Sequence, residues 1–199
     1  MTAHELSVFT SSRVSTTVFA RMNGYSYKPD CTVPLEELRY VRLLHYGFDA
    51  TPHVGELVVN QAIADAVLMI FKELYAIQYP IEKMHLIDDY KALDDASMAD
   101  NNSSAFNFRV IDDGTGRLSN HASGMALDIN PLYNPYIRIK NGQETVSPAQ
   151  SLLYTDRTRP CPYYIQKNDV CTSLFLRYGF TWGGDWIDRK DYQHFEKKL

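Results

Sequence analysis

Apolar positions along the chain change their rhythm near residue 80. In TVPLEELRYVRLLHYGF, residues 32–48, Leu35, Leu38, Val41 and Leu43 recur at near-helical spacing behind a Thr32 hydroxyl and an early Pro34. A capping hydroxyl and a proline with φ already fixed predict a helix start there. From Glu56 to Ile77, ELVVNQAIADAVLMIFKELYAI keeps apolar residues three and four apart and predicts the longest helix. Residues 1–31 are polar and rich in Ser and Thr, which predicts an irregular arm. Beyond Pro80 the period shortens. KMHLID (83–88) predicts a short strand and residues 88–104 a polar connection with one helical turn. SAFNFRVI (104–111) and GMALDIN (124–130) alternate like strands around the turn DDGTGR. NPLYNPYIRIKNGQ leaves the sheet through two prolines. NDVCTSLFLRYGF (168–180) predicts a helix closed by Gly179, and FTWGG and YQHFEKK predict two last strands. Helices followed by a small antiparallel sheet make the predicted class α+β, in a single domain. Residues 1–50 are expected to form an arm and helix leading into a core of residues 51–199.

Composition narrows the function. The chain has 199 residues, 45% of them apolar and 22% charged, as in an ordinary globular domain. A net charge of −4 gives no basic footprint for nucleic acid. No apolar run has the length of a membrane span, and the N-terminus has no basic start followed by an apolar core. Cys31, Cys161 and Cys171 form no CxxC pair, so a cysteine zinc site is not expected. Cys161 and Cys171 are spaced to pair in an oxidising compartment, with three free thiols the equal alternative.

The chemistry concentrates in SNHASGMALDIN, residues 119–130. In a strand over 124–130, Met125, Leu127 and Ile129 share one face, and Gly124, Ala126, Asp128 and Asn130 the other. Small neighbours leave the Asp128 face open, and His121 in the preceding turn can fold over it. DYQHFE near the C-terminus supplies His194, with Asp191 three residues before it. Two imidazoles and a carboxylate suit Zn²⁺, which in catalytic sites takes three protein ligands and keeps a position for water. Asp191 is placed to take a proton from that water. Taken alone, His121 and Asp128 read better as a hydrogen-bonded pair capping a turn, and it is the second motif that turns the reading toward a metal.

SNHASGMALDIN resembles the SxHxxGxAxD pattern of the M15 peptidases, and DYQHF resembles their second histidine motif. SSAFNFR and WGGDW are similar to the branch with VanY-like D-alanyl-D-alanine carboxypeptidases and phage L-alanyl-D-glutamate endopeptidases. The resemblance spans residues 55–197. It implies a hedgehog/D-Ala-D-Ala peptidase-like fold, with His121, Asp128 and His194 as zinc ligands and Asp191 as general base. It further implies that Arg109 holds substrate and stabilises the oxyanion, that Ser119 contacts the substrate backbone, and that Trp182 and Trp186 line the cleft. Aspartate at the base position is the endopeptidase form; many carboxypeptidases of the family carry glutamate. The implied activity is hydrolysis of peptidoglycan stem peptides, foremost as a D-alanyl-D-alanine carboxypeptidase. An endopeptidase and a non-catalytic zinc module that binds peptides are the alternatives. The implied enzyme is a monomer that acts outside the cytoplasmic membrane, exported with its signal missing from this sequence or released by lysis.

Four further readings complete the expectation. Arg109 is in reach of a structural salt bridge with Asp112 or Asp113, and the paired aspartates at 88–89, 94–95 and 112–113 read as solvated loops. Asp185 and Asp188 are expected to orient His194 from behind. His4, His45, His53 and His85 have no partner at a useful spacing.

Overall fold

The computed structural model describes residues 1–111, 115–140 and 142–198. The N-terminal arm is ordered rather than irregular. Thr2 caps helix α1 (Ala3–Val8) in a reciprocal box with Glu5, strand β1 (Thr10–Arg13) follows, and Ser15 caps helix α2 (Thr16–Met22). The helix expected over residues 32–48 is instead a 3-10 turn (Leu35–Glu37) and a nine-residue strand, β2 (Leu38–Tyr46). Strand β3 (Pro52–Asn60) pairs with it antiparallel from Leu38↔Asn60 to Tyr46↔Pro52, and β1 covers its other edge. The connection Gly47–Thr51 is a turn in which the Asp49 carboxylate accepts the Thr51 N–H at 3.1 Å.

Burial on both faces explains the misleading rhythm. Val41, Leu43, Leu57 and Val59 enter the main apolar cluster, while Leu38 and Val58 enter a second one with Val18, Met22, Phe106 and Phe108. A sheet covered on both sides need not alternate apolar and polar residues, so its apolar runs imitate a helical stripe. Helix α3 therefore spans Gln61–Ala76 and not 56–77. Asn60 caps it by accepting the Ala62 N–H, and Ile63, Val67, Ile70, Phe71 and Leu74 form its buried stripe.

Residues 83–88 make only an isolated bridge at Lys83, followed by a 3-10 turn (Ile87–Tyr90) and helix α4 (Asp94–Ala99). Residues 104–110 run extended, joined at Ser104↔Asp128 and Val110↔Leu118. Strand β4 (Ala126–Asp128) comes next. A hairpin follows, β5 (Tyr136–Lys140) with β6 (Gln143–Ser147), in the stretch that the sequence reading sent out of the sheet. Helix α5 (Val170–Arg177) and strands β7 (Thr181–Trp182), β8 (Arg189–Asp191) and β9 (His194–Glu196) complete the chain. Among the described residues the sheets are β1-β2-β3, β4-β9-β7 and β6-β5-β8, all antiparallel, with helices packed on them. The architecture is α+β, as expected.

All three cysteines are unbonded, and Cys171 lies fully buried in the main cluster, where burial pushes its thiol well above the ordinary range. No helix among the described residues is long and apolar enough to cross a membrane.

Candidate metal centre

The centre forms where two short strands and a turn meet. Met125, Leu127 and Ile129 enter the main core, which turns Asp128 the other way. Asp128 lies directly across from His194 in the β4–β9 register, so the two side chains share one face. His121 arrives from the 3-10 turn Asn120–Ser123, which Ser119 caps by accepting the His121 N–H at 3.3 Å. That turn ends at Gly124, with φ +70°, whose carbonyl accepts the Asn60 N–H at 2.9 Å. A Cβ at Gly124 would stand 2.7 Å from the Asn60 nitrogen, so glycine is required on two counts.

His121, Asp128 and His194 are all buried, and each offers a ligand atom within 4.8 Å of the other two. His121 Nε2 lies 3.1 Å from Asp128 Oδ2 and 3.2 Å from His194 Nδ1; His194 Nδ1 lies 3.0 Å from Asp128 Oδ1. Each imidazole uses its remaining nitrogen outward. His121 Nδ1 meets the Ala105 carbonyl at 2.6 Å, and His194 Nε2 meets Glu196 Oε2 at 3.1 Å. With those N–H groups donating outward, the inward nitrogens present lone pairs, the form a metal takes. The donor set thus fits a zinc ion. Without an ion the charges pair differently, and the Nδ1 proton of His194 must leave before that nitrogen can bind a cation. Burial opposes ionisation of Asp128, yet the two histidines hold it well below the usual carboxylate range. Burial likewise opposes charge on His194, but hydrogen bonds to Asp128 and Glu196 raise its pKa to about 10.

Asp191 reaches the centre from the other sheet, at the end of β8, opposite Tyr136 of β5. Gly183 brings it close: a Cβ there would meet the Asp191 carbonyl oxygen at 2.6 Å and the His194 Cβ at 3.3 Å. The buried Asp191 Oδ1 has no hydrogen-bond partner among the described residues. Burial, with Asp128 and Asp94 adding to it against His194 and Arg109, pushes its pKa to about 7.

The other expected residues divide. Arg109 pairs with Asp94, Nη2 to Oδ2 at 2.7 Å, while its buried Nε is unpartnered. The alternative partners Asp112 and Asp113 lie outside the described residues. The ring of Trp186 sits 5.4 Å from that of His194, and the Arg189 guanidinium lies over the indole at 4.6 Å. Trp182 belongs to the core: it is 4% exposed, its indole N–H donates to the Tyr192 carbonyl, and a Cβ on Gly184 would lie 2.2 Å from its ring.

Further readings change as well. Asp185 pairs with Lys167 and Asp188 with Arg189, and Glu196 stands behind His194 in their place. Asp88 is buried and accepts the Ser26 N–H, and Asp94 holds Arg109, so neither is a solvated loop residue. His53 pairs with Asp49 at 3.0 Å and stacks on buried His45, so neither histidine lacks a partner. Sequence reasoning missed Glu196 and Asp94. Glu196 was legible as the i+2 neighbour of His194 on a strand, whereas nothing near Asp94 in sequence points to Arg109.

Comparison with known proteins adds one finding. Residues 113–197 match the family model described as D-alanyl-D-alanine carboxypeptidase, of the M15 peptidases. No curated protein and no solved structure matches the chain. The matched segment covers less than half of the chain, leaves out Arg109 and Asp94, and includes every member of the cluster and Asp191. Over this segment the chain is similar to the M15 peptidases.

Proposed function

We propose that the protein is a zinc-dependent metallopeptidase that hydrolyses the peptides of bacterial cell walls. One observation carries the reading: a buried His–Asp–His cluster with each imidazole turning one ring nitrogen inward, inside the segment that matches a peptidase family. His121, Asp128 and His194 would hold the ion. When bound, zinc supplies Lewis acidity toward a peptide carbonyl and toward water. The remaining work falls to the chain. Asp191 accepts the proton of the attacking water on its unpartnered oxygen and returns it to the leaving amine as the C–N bond breaks. Arg109, steadied by Asp94, offers hydrogen bonds to the carbonyl oxygen as charge develops there. Ser119 holds the His121 turn by its cap, and Trp186 walls the His194 side.

Removal of a terminal D-alanine is the first reading, in line with the description of the matched family. Cleavage between L-alanine and D-glutamate is the second, and a specific observation favours it. Asp191 stands at the base position, where aspartate is the form of the endopeptidase branch that the sequence resembles, and Arg109, the cation expected to meet substrate, is already paired with Asp94. Either substrate lies outside the cytoplasmic membrane, and the enzyme would act there. Digestion of purified muropeptides, read by mass spectrometry with and without a chelator, tests the proposal. Loss of one alanine supports the carboxypeptidase and release of a stem peptide the endopeptidase. Zinc binding without any product leaves a non-catalytic peptide-binding module.

A further inference from the structure

We infer that Glu196 is a positioning residue of the metal centre and that, with Asn120, it locks the two histidine motifs into one unit. The inference rests on the reading that the cluster holds a cation. Strand β9 turns Phe195 into the core and puts His194 and Glu196 on the opposite face, where both are buried. Glu196 Oε2 stands 3.1 Å from His194 Nε2. The form of the ring that can bind an ion is the neutral imidazole, which has a single N–H, and donation to Glu196 places it on Nε2. The lone pair then sits on Nδ1, the atom that faces Asp128 Oδ1 and His121 Nε2. The same oxygen of Glu196 accepts the side-chain amide of Asn120, the residue before His121. One carboxylate oxygen thus fixes the tautomer of one ligand and the turn that carries the other.

The two histidines are oriented by different means. His121 leans on a backbone carbonyl, Ala105, which no substitution removes. His194 leans on a side chain, which a substitution can remove. Partners of this kind raise the basicity of the ligand and hold its ring, and their loss weakens metal binding by roughly 10–100-fold.

The test is zinc affinity, measured by competition with a fluorescent chelator, on the wild type, Glu196→Ala, Glu196→Gln and Asn120→Ala. It is paired with nitrogen-15 NMR of the His194 ring and with melting of the metal-free proteins. The expected result is about 10–100-fold weaker binding for Glu196→Ala, with smaller losses for Glu196→Gln and Asn120→Ala. In the metal-free variants, at a pH where the His194 ring is neutral, its proton should move from Nε2 to a mixture of tautomers, with little change in metal-free melting. Wild-type affinity and an unchanged tautomer in the variants overturn the inference while the metal centre stands. A wild type that binds no zinc overturns both. Should Glu196→Ala fail to fold, the graded losses in Glu196→Gln and Asn120→Ala decide the matter.

Discussion

The β1-β2-β3 sheet and the β4-β9-β7 sheet are built on opposite terms. In the first, two nine-residue strands pair along their whole length between two apolar clusters. In the second, β4 and β9 have three residues each and β7 has two. Ladders that short contribute little, and the polar residues of the second sheet are held by side-chain bonds among buried groups. Such networks are costly when incomplete and rigid when complete. The lesson is a division of labour: apolar burial stabilises one region and frees the other for chemistry. The two are joined at Asn60, which ends β3, caps α3 and binds the His121 turn through the Gly124 and Ser123 carbonyls.

Asp128→Ala tests this division most severely. It should abolish stoichiometric zinc, measured by elemental analysis after gel filtration, and lower peptidase activity by at least about 10³-fold, while the β1-β2-β3 sheet stays folded. Asp191→Ala should retain zinc and lose roughly 10²–10⁴-fold in kcat. Retained turnover removes Asp191 from its role. In the other region, Phe71→Ala removes a fully buried ring set edge-on to Phe175 and should cost about 3–5 kcal/mol in urea unfolding, with zinc stoichiometry of the folded protein unchanged. Altered stoichiometry there would break the comparison.

Gly124→Ala strikes the junction. With a left-handed backbone and the Asn60 nitrogen in the way, it should lower stability by about 2 kcal/mol and weaken zinc binding together. An effect on only one of the two would show that the regions are less coupled than Asn60 suggests. The smallest effect concerns pH. Burial, aided by His53 and His85 and opposed by the Ile81 carbonyl, lowers the pKa of His45 from 6.5 to about 4. Between those values the unfolded chain binds the proton and the folded chain does not, so stability falls as pH falls from 6.5 toward 4. Comparison of urea midpoints should show His45→Gln losing on the order of 2 kcal/mol less than wild type between pH 7 and 5.

How far the sequence could be read differs between the same two regions. SNHASGMALDIN and DYQHFE reveal the cluster because metal chemistry demands particular side chains at particular intervals, and the alternation of Met125, Leu127 and Ile129 sets the inward face. The α+β class and helix α5 also follow from local pattern. Strand β2 does not. Its residues Leu38, Val41 and Leu43 serve two cores, and only the pairing with β3 decides against a helix. The hairpin β5–β6 was hidden by the prolines before it, which end one strand without forbidding the next. The burial of Trp182 was not legible, because an indole suits a binding cleft and a core equally well. Asp94 and Arg109 meet only through the path of the chain between them.

The carboxylate of Asp191 rides on the β6-β5-β8 sheet, while Asp128 and His194 ride on another, with only Tyr192 and Gln193 between. On the proposed reading, drift in the β5–β6 hairpin can retune the speed of proton transfer without loosening the grip on the ion. Evolution would thereby have two separate dials, one for turnover and one for metal retention, set by different stretches of chain.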